Sequence, residues 1–578
     1  MTGAAATARI DAGEAMSSTA APAGEGAESI TSAIDFLRTV RLFSRVSNEV
    51  LAEIADRARV QRLQAGEVLF RQGDAADELY VVQSGQLEVF MDGVGGEPLR
   101  VMLRGGVVGE LALLTGEPRS ASVRARRDSN LLALSRASFD ALLGEPDFVR
   151  DLLRVLGMEL RGSRPVNPPL GKPVTIAVLP LEPDVPVDRF HDALAAGLER
   201  WNRVAVLDFI EDASTWCEAL DRCERDNDHV LLKGTFEVDS SWNEFCARQA
   251  DRIFCLTRGG RVPDWLARHS ELKGSDLVFC RSGLGRFDGS AMLTATSARR
   301  SYVARDGASF DAAVEALSRR LAGRSVGLVL SGGGARGLAH IGVLAELFAE
   351  GIQIDRVAGC SMGAFIGAML AAGRDPGSIQ RTCEAELLRR NPLGDYTVPV
   401  RSLVRGRRGL DMLARVFGSI RFEELERELF TVSCDLVSGE LVIDRRGLVS
   451  DAVAASMSLP GVLPPVPRDG MLLVDGGVLN NLPVQETAAA GEGPVIAVDV
   501  TAQFGGPSGG AQRPRLKEVL VRAISLGGVD AVNAARRDAD LLIEPRVGDV
   551  GMLDFGKLDR AVEAGRRAAR EALATRSL

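Results

Sequence analysis

The order of apolar and polar positions changes character twice along the 578-residue chain. From about Phe36 to Met158, short runs such as EVLFRQGD, ELYVVQSGQLEVFMDG, LRVMLRGGVVGELALL and SASVRARRDSNLLALS are separated by turn residues. Alternation with a period of two turns one side of each run inward, so this stretch predicts an all-β unit. Helical periodicity flanks it around Val50–Ala58 and Phe148–Leu160. Residues 161–172, RGSRPVNPPLGK, hold three prolines and two glycines and predict a linker. Beyond it the apolar runs become continuous: TIAVLPL, RVAVLDF, HVLLKGTF, RIFCLT and DLVFCR alternate with helical stretches as far as Ala322. That rhythm predicts a parallel sheet with crossover helices. It restarts at Ser325 with GLVLSGGG, IDRVAGC, LFTVSCDL, MLLVDGG, PVIAVDV and DADLLIEP, interrupted by the flexible stretch GGPSGGAQRPR and closed by a helix over Leu558–Ala574.

The expected architecture is therefore multidomain, as the length requires. Residues 1–30, rich in Ala, Gly, Ser and Glu and without a secretory core, form a disordered tail. Residues 31–160 form a β-roll with flanking helices, 161–172 the linker, 173–322 a middle α/β region and 323–578 a second α/β domain. An apolar share of 46% with 25% charged residues is ordinary for globular protein. A net charge of −9 and a pI near 5.4 argue against affinity built on phosphate neutralisation, so no nucleic acid partner is expected. The eight cysteines include no C-x-x-C pair, which predicts reduced thiols and no metal site. The apolar stretch Met362–Ala372 is shorter than the ~20 residues of a spanning helix. The expected location is cytoplasmic, at most peripheral to a membrane.

Chemistry concentrates after Ser325. In LVLSGGGARGLAHIGVL, Gly332, Gly334 and Gly337 satisfy G-x-G-x-x-G between a strand and a helix, and Asp355 ends a second strand nearby. That arrangement suits either a dinucleotide pyrophosphate or an oxyanion. The next strand runs into Gly359-Cys360-Ser361-Met362-Gly363 and the small-residue helix AFIGAMLAAG, the strand, turn and helix context of a nucleophile elbow. A serine nucleophile needs a base. The four histidines are His191, His229, His269 and His340; none follows Ser361, and His340 at a helix start reads as structural. Asp475, in LLVDGGVLNNLPV at a strand end, is the remaining base, which makes a Ser361–Asp475 dyad. An aspartate is a weak base, so the developing oxyanion must be held firmly. Backbone N–H groups of Gly333, Gly334 and Ala335 are the expected donors, with Arg336 adding positive charge.

These residues resemble patatin-like phospholipases: the oxyanion loop Gly332–Gly337, the elbow Gly359–Gly363, the block Ala455–Val466 and the D-G-G of Asp475–Gly477 stand in that family's order. The resemblance implies a patatin-like α/β/α domain and hydrolysis of acyl esters of phospholipids or lysophospholipids through an acyl-Ser361 intermediate, with no catalytic cofactor. A dinucleotide-binding oxidoreductase would leave the elbow and Asp475 without a role, and Asp355 is then a strand-edge residue. GELALLTGEPRSASV, from Gly109 to Val123, resembles the phosphate-binding cassette of cyclic nucleotide-binding domains. On that resemblance Gly109, Glu110, Leu111, Ala112, Arg119 and Ser120 bind a regulatory cAMP or cGMP, with Glu110 on the ribose hydroxyl and Arg119 on the cyclic phosphate. The bland alternative is a docking module. The combination is similar to proteins of the neuropathy target esterase type, which are lysophospholipases; a catalytically inactive nucleotide-responsive scaffold is the competing reading. Arg405, Arg407 and Arg408 in VRGRRGL read either as contacts to lipid phosphate or as a solvated basic turn. The middle region lacks a phosphate-binding G-x-x-x-x-G-K-[ST] loop and is assigned no nucleotide hydrolysis.

Overall fold

The computed structural model describes residues 8–9, 33–34, 36–38, 40, 42–44, 46–91, 100–102, 105–146, 148–150, 152, 175–237, 240–283, 287–398, 402–489, 491–501 and 528–575. The linker expected at 161–172, the stretch GGPSGGAQRPR and most of the helix expected at Phe148–Leu160 lie outside these residues. The chain forms two compact units: residues 1–256 with 263–276 and 295–297, and residues 257–262 with 277–294 and 298–578. Residues of the middle region expected at 173–322 thus fall in both units.

The first unit opens with β1 (Ala8–Arg9), which lies in the stretch expected to be disordered but pairs parallel with the later strand Val204–Leu207. The roll follows: β2 (Arg59–Leu63), β3 (Val68–Phe70), β4 (Glu78–Phe90), β5 (Arg100–Met102), β6 (Val107–Val108) and β7 (Ser122–Ser135). The long strands β4 and β7 pair antiparallel; β2 and β3 join β7, and β5 and β6 join β4. Alternate side chains go to opposite faces, and both faces are covered. Tyr80, Val82, Leu131 and Ala133 fill the roll, while Leu79, Val81, Leu132 and Leu134 pack with Leu51, Ile54, Phe139 and Leu142 of the flanking helices. One sequence expectation is corrected here. ELALLT continues no strand; Gly109, at φ 90°, turns the backbone and Glu110–Thr115 forms a short helix.

In the same unit, β8 (Thr175–Pro180), β9 (Val204–Leu207), β10 (His229–Lys233) and β11 (Arg252–Thr257) form a parallel sheet in the order β1-β9-β10-β8-β11. Every residue of β8 is buried, which its unbroken apolar run requires. Arg127 of β7 reaches this sheet's surroundings: its guanidinium is buried 3.4 Å from Glu224 and 3.1 Å from Asp251.

The second unit contains β12 (Asp276–Arg281) paired parallel with β13 (Ser301–Arg305), then β14 (Val326–Leu330), β15 (Ile354–Cys360), β16 (Glu428–Asp435), β17 (Leu441–Asp444), β18 (Val466–Arg468), β19 (Met471–Asp475), β20 (Val495–Val498) and β21 (Leu541–Ile543). The large sheet runs β18-β19-β16-β15-β14-β20-β21, with β17 also on β16. Strands β16, β15, β14, β20 and β21 are parallel; β17, β18 and β19 are antiparallel additions. Leu328, Leu330, Val357, Leu429 and Ile496 face one apolar cluster with helices Ala339–Ala349, Met362–Ala371 and Leu558–Thr575; Val329, Ala358, Phe430 and Ala497 face another with Val484 and Ala535. The sheet is therefore buried on both sides. The helix Ala308–Leu321 belongs to this unit because Arg320 lies buried between Glu428 of β16 and Glu492.

Candidate active site

Ser361 sits where β15 ends and the buried helix Met362–Ala371 begins, with φ 53° and ψ −119°. A non-glycine residue in that region stores roughly 1–3 kcal/mol of strain and persists only where its surroundings hold it. Here the Ser361 N–H donates to Ser456 Oγ at 2.9 Å. A methyl group on Gly359 would lie 2.6 Å from the Ala364 nitrogen, and one on Gly363 would lie 2.1 Å from the Leu330 carbonyl oxygen. Glycine on both sides of the serine is a steric requirement of the turn.

Asp475 ends β19, which is laid antiparallel on β16 with Ser433 opposite Asp475; β15 lies on the other edge of β16 with Cys360 opposite Val432. The sheet thus brings Ser361 and Asp475 to one end from positions far apart in sequence. The carboxylate is 5% exposed. Its Oδ1 accepts from Gly477 N–H at 2.9 Å and from the Cys360 thiol at 3.5 Å, and the Ser361 hydroxyl lies near enough to stabilise its charge. Burial raises its pKa above the ordinary carboxylate value, and these three polar groups oppose the rise. A raised pKa makes the ionised carboxylate a stronger base. Burial also pushes the Cys360 thiol well up, which keeps its S–H intact as a donor.

The glycine loop is differentiated residue by residue. Gly332 donates to Asn481 Oδ1 at 3.1 Å and accepts from Asn481 Nδ2 at 3.2 Å, so its N–H is spent on anchoring the loop. The expectation for Ala335 is corrected: its N–H donates to the Met552 carbonyl at 2.7 Å. Arg336 turns its Nε to the Val550 carbonyl at 2.8 Å. Gly337 is a spacing residue, since a methyl there would lie 2.5 Å from Met362 Cγ. Among the described residues, no acceptor meets the N–H groups of Gly333 and Gly334. Gly334 has φ 56°, and a methyl on it would lie 2.1 Å from the Met552 carbonyl oxygen.

His340 is wholly buried, donates from Nε2 to the Ser331 carbonyl at 2.8 Å, and is pushed down to about 4 by burial. It is a neutral structural group. Asp355 takes two hydrogen bonds from Arg319, at 2.6 and 3.1 Å, and one from Val326 N–H at 3.3 Å, so the acid that the dinucleotide reading needs is engaged in the scaffold. Three residues that matter here escaped sequence reasoning. Cys360 was the unspecified x of G-x-S-x-G, Ser456 lay inside the Ala455–Val466 block, and Asn481 lay six residues past Asp475. An asparagine after D-G-G, able to satisfy both peptide groups of one residue, was the available signal.

In the roll, Arg119 is buried beside Gly109, whose missing side chain makes room for it: a methyl there would lie 2.3 Å from Arg119 Nη1. Nη1 donates to the Gly109 carbonyl at 3.0 Å and Nη2 to the Glu78 carbonyl at 2.7 Å, while the guanidinium carbon lies 4.1 Å from the Phe70 ring centroid. Its buried Nε has no hydrogen-bond partner among the described residues. Burial lowers the Arg119 pKa; Tyr80, Glu110, Glu78 and Asp74 act against that. Glu110 and Ala112 are buried, and Leu111 and Ser120 are exposed. The structure therefore brings Gly109, Glu110 and Arg119 together and leaves Leu111 and Ser120 at the surface.

A doubly covered, mostly parallel sheet thus carries a strained serine elbow and a buried aspartate at its strand ends. Residues 328–488 match the model of the patatin-like phospholipase family, and residues 60–145 match that of the cyclic nucleotide-binding domain. An uncharacterized NTE family protein of Mycobacterium tuberculosis is 35% identical over 94% of this chain and 97% of its own length. Human patatin-like phospholipase domain-containing protein 6 is 28% identical over 87% of this chain and 43% of its own, and a lysophospholipase of Coccidioides immitis is 27% identical over 89% and 40%. The chain belongs to the NTE family of patatin-like phospholipases, and it is a lipid hydrolase carrying a cyclic nucleotide-binding domain.

Proposed function

We propose that the chain is a serine esterase that cleaves acyl esters of lysophospholipids through a Ser361–Asp475 dyad. The observation that supports this reading is the placement of the Ser361 hydroxyl close enough to the buried Asp475 carboxylate to stabilise its charge, beside a glycine loop with two N–H groups to spare among the described residues. Asp475 takes the Ser361 proton as Oγ attacks the ester carbonyl. The tetrahedral oxyanion is held by Gly333 and Gly334 N–H, each donor worth roughly 3 kcal/mol in the transition state. Collapse expels the deacylated glycerophosphoryl alcohol, which leaves with the proton from Asp475. Water, deprotonated by the same carboxylate, then releases the fatty acid from acyl-Ser361. Monoacyl lipid as substrate is supported by the lysophospholipase among the relatives.

The test is turnover of a p-nitrophenyl ester and of micellar lysophosphatidylcholine by wild type, Ser361→Ala and Asp475→Asn, with fluorophosphonate labelling of Ser361. Both variants should lose at least a thousandfold in kcat, and labelling should vanish in Ser361→Ala. Equal rates in all three would remove the mechanism and favour the inactive scaffold.

The roll is proposed to bind cAMP or cGMP, with Arg119 on the cyclic phosphate and Glu110 on the ribose. The buried Arg119 Nε without a protein acceptor, a few ångströms from glycine backbone, supports an anionic ligand there.

A further inference from the structure

Four large apolar side chains of the second unit stand in water along one stretch: Tyr396 is 75% exposed, Val398 77%, Leu403 43% and Leu410 57%. Tyr396 bridges antiparallel to Val404, and Thr397 N–H donates to the Leu403 carbonyl at 3.1 Å, so the stretch folds back as a short hairpin. The hairpin lies along the segment that leaves the candidate active site. Leu403 N–H donates to the Gly461 carbonyl at 3.0 Å and Val404 N–H to that of Val462 at 3.1 Å. A few residues upstream the same segment holds Ser361 through Ser456 Oγ and receives Asp475 N–H on the Ser458 carbonyl at 3.0 Å. The helix Arg407–Phe417 anchors the hairpin's exit by burying Met412, Leu413, Val416 and Phe417, while Leu410 stays outside.

Positive charge predominates beside this face: three arginines stand against Asp395, whose carboxylate accepts from Arg408 N–H at 3.3 Å, and the exposed Asp411. Arg405, Arg407 and Arg408 are exposed, and among the described residues no carboxylate forms an ion pair with them. In a chain of net charge −9, such a cluster fixes which side approaches an anionic surface. Exposed apolar side chains next to unpaired guanidinium groups fit a layer that is oily within and phosphate-rich at its boundary. The arginines fork onto phosphate oxygens while the apolar groups enter the acyl boundary.

We infer that the described residues 396–398 and 402–410 carry the face by which this protein rests on a phospholipid surface, Tyr396, Val398, Leu403 and Leu410 entering the interface and Arg405, Arg407 and Arg408 meeting lipid phosphates. The inference builds on the esterase reading, since the face borders the segment that holds Ser361 and Asp475. A lipid surface docked here presents substrate at the mouth of the site.

The experiment is co-sedimentation of the full chain with vesicles of phosphatidylcholine, with and without phosphatidylglycerol. Wild type should bind, more tightly when phosphatidylglycerol is present. Val398→Glu with Leu410→Glu should weaken binding at least tenfold with an unchanged thermal midpoint. Arg405→Gln, Arg407→Gln and Arg408→Gln should each weaken binding to the anionic vesicles by about fivefold, and these conservative variants carry the test if the glutamate pair does not fold. Ser361→Ala should sediment as wild type does, so failure of the esterase reading leaves this test intact. Wild type remaining in the supernatant with both vesicles would overturn the inference, as would arginine variants that bind like wild type. A dimer in ultracentrifugation that Val398→Glu disperses would assign the face to a second copy instead.

Discussion

At the scale of single residues, the pH dependence of the reaction follows from what surrounds Asp475. Its carboxylate must be ionised to accept the Ser361 proton, and burial raises its pKa while donors from Ser361, Gly477 and Cys360 lower it. The acid limb of kcat/KM should therefore lie above the ordinary carboxylate range. Removing one donor leaves the charged form less stabilised, so Cys360→Ala should move that limb to higher pH and lower activity at its acid side. Cys360→Ser restores a donor to Oδ1 and should bring the limb back. A pH–rate profile decides it: identical limbs in wild type and Cys360→Ala would reduce Cys360 to packing. His340, neutral down to about pH 4, should add no limb near its ordinary value.

At the scale of elements, the glycine loop is only as rigid as the helix that continues it. Helix Ala339–Ala349 meets helix Leu558–Thr575 backbone to backbone: a methyl on Gly342 would lie 1.9 Å from the Val562 carbonyl oxygen, and one on Gly565 would lie 2.0 Å from that of Ala339. Gly342→Val must push these helices apart, at a cost of about 3 kcal/mol. Thermal denaturation should show a clear fall in the unfolding midpoint, and an unchanged midpoint would refute the close contact. The strands that carry the site, β14, β15, β16 and β19, were legible because strands buried on both faces read as continuous apolar runs. Strands β17 and β18 were not, being short and mostly half-exposed. The helix Glu110–Thr115 was misread because a four-residue apolar run carries no period.

At the scale of the whole molecule, the prediction concerns the ligand of the roll. Calorimetry of the full chain with cAMP and cGMP should show binding of one or both, and Arg119→Ala should weaken it about a hundredfold, the equivalent of ~3 kcal/mol for a lost charge-assisted pair. No heat with either nucleotide would make the roll a docking module. Esterase turnover with and without nucleotide then tests regulation, because a ligand changes activity only by its difference in affinity between two conformations. The roll itself is tied within its unit by Arg127, buried between Glu224 and Asp251. Nothing in the run SVRARRDS distinguished that arginine from its neighbours; its partners arrive from outside the roll.

The sequence by itself determined the chemistry that local geometry dictates. A serine between glycines at a strand-to-helix turn, an aspartate before two glycines and a glycine loop opening a helix each carry their structural requirement within a few residues, because backbone conformation and close approach are local matters. Which backbone donors remain free was decided only by the tertiary structure. Ala335 N–H is taken by Met552 and Gly332 N–H by Asn481, while Arg336 is drawn to a carbonyl 214 residues downstream. Satisfying buried hydrogen-bonding groups is an account kept over the whole fold, and a local pattern does not say which distant carbonyl will arrive.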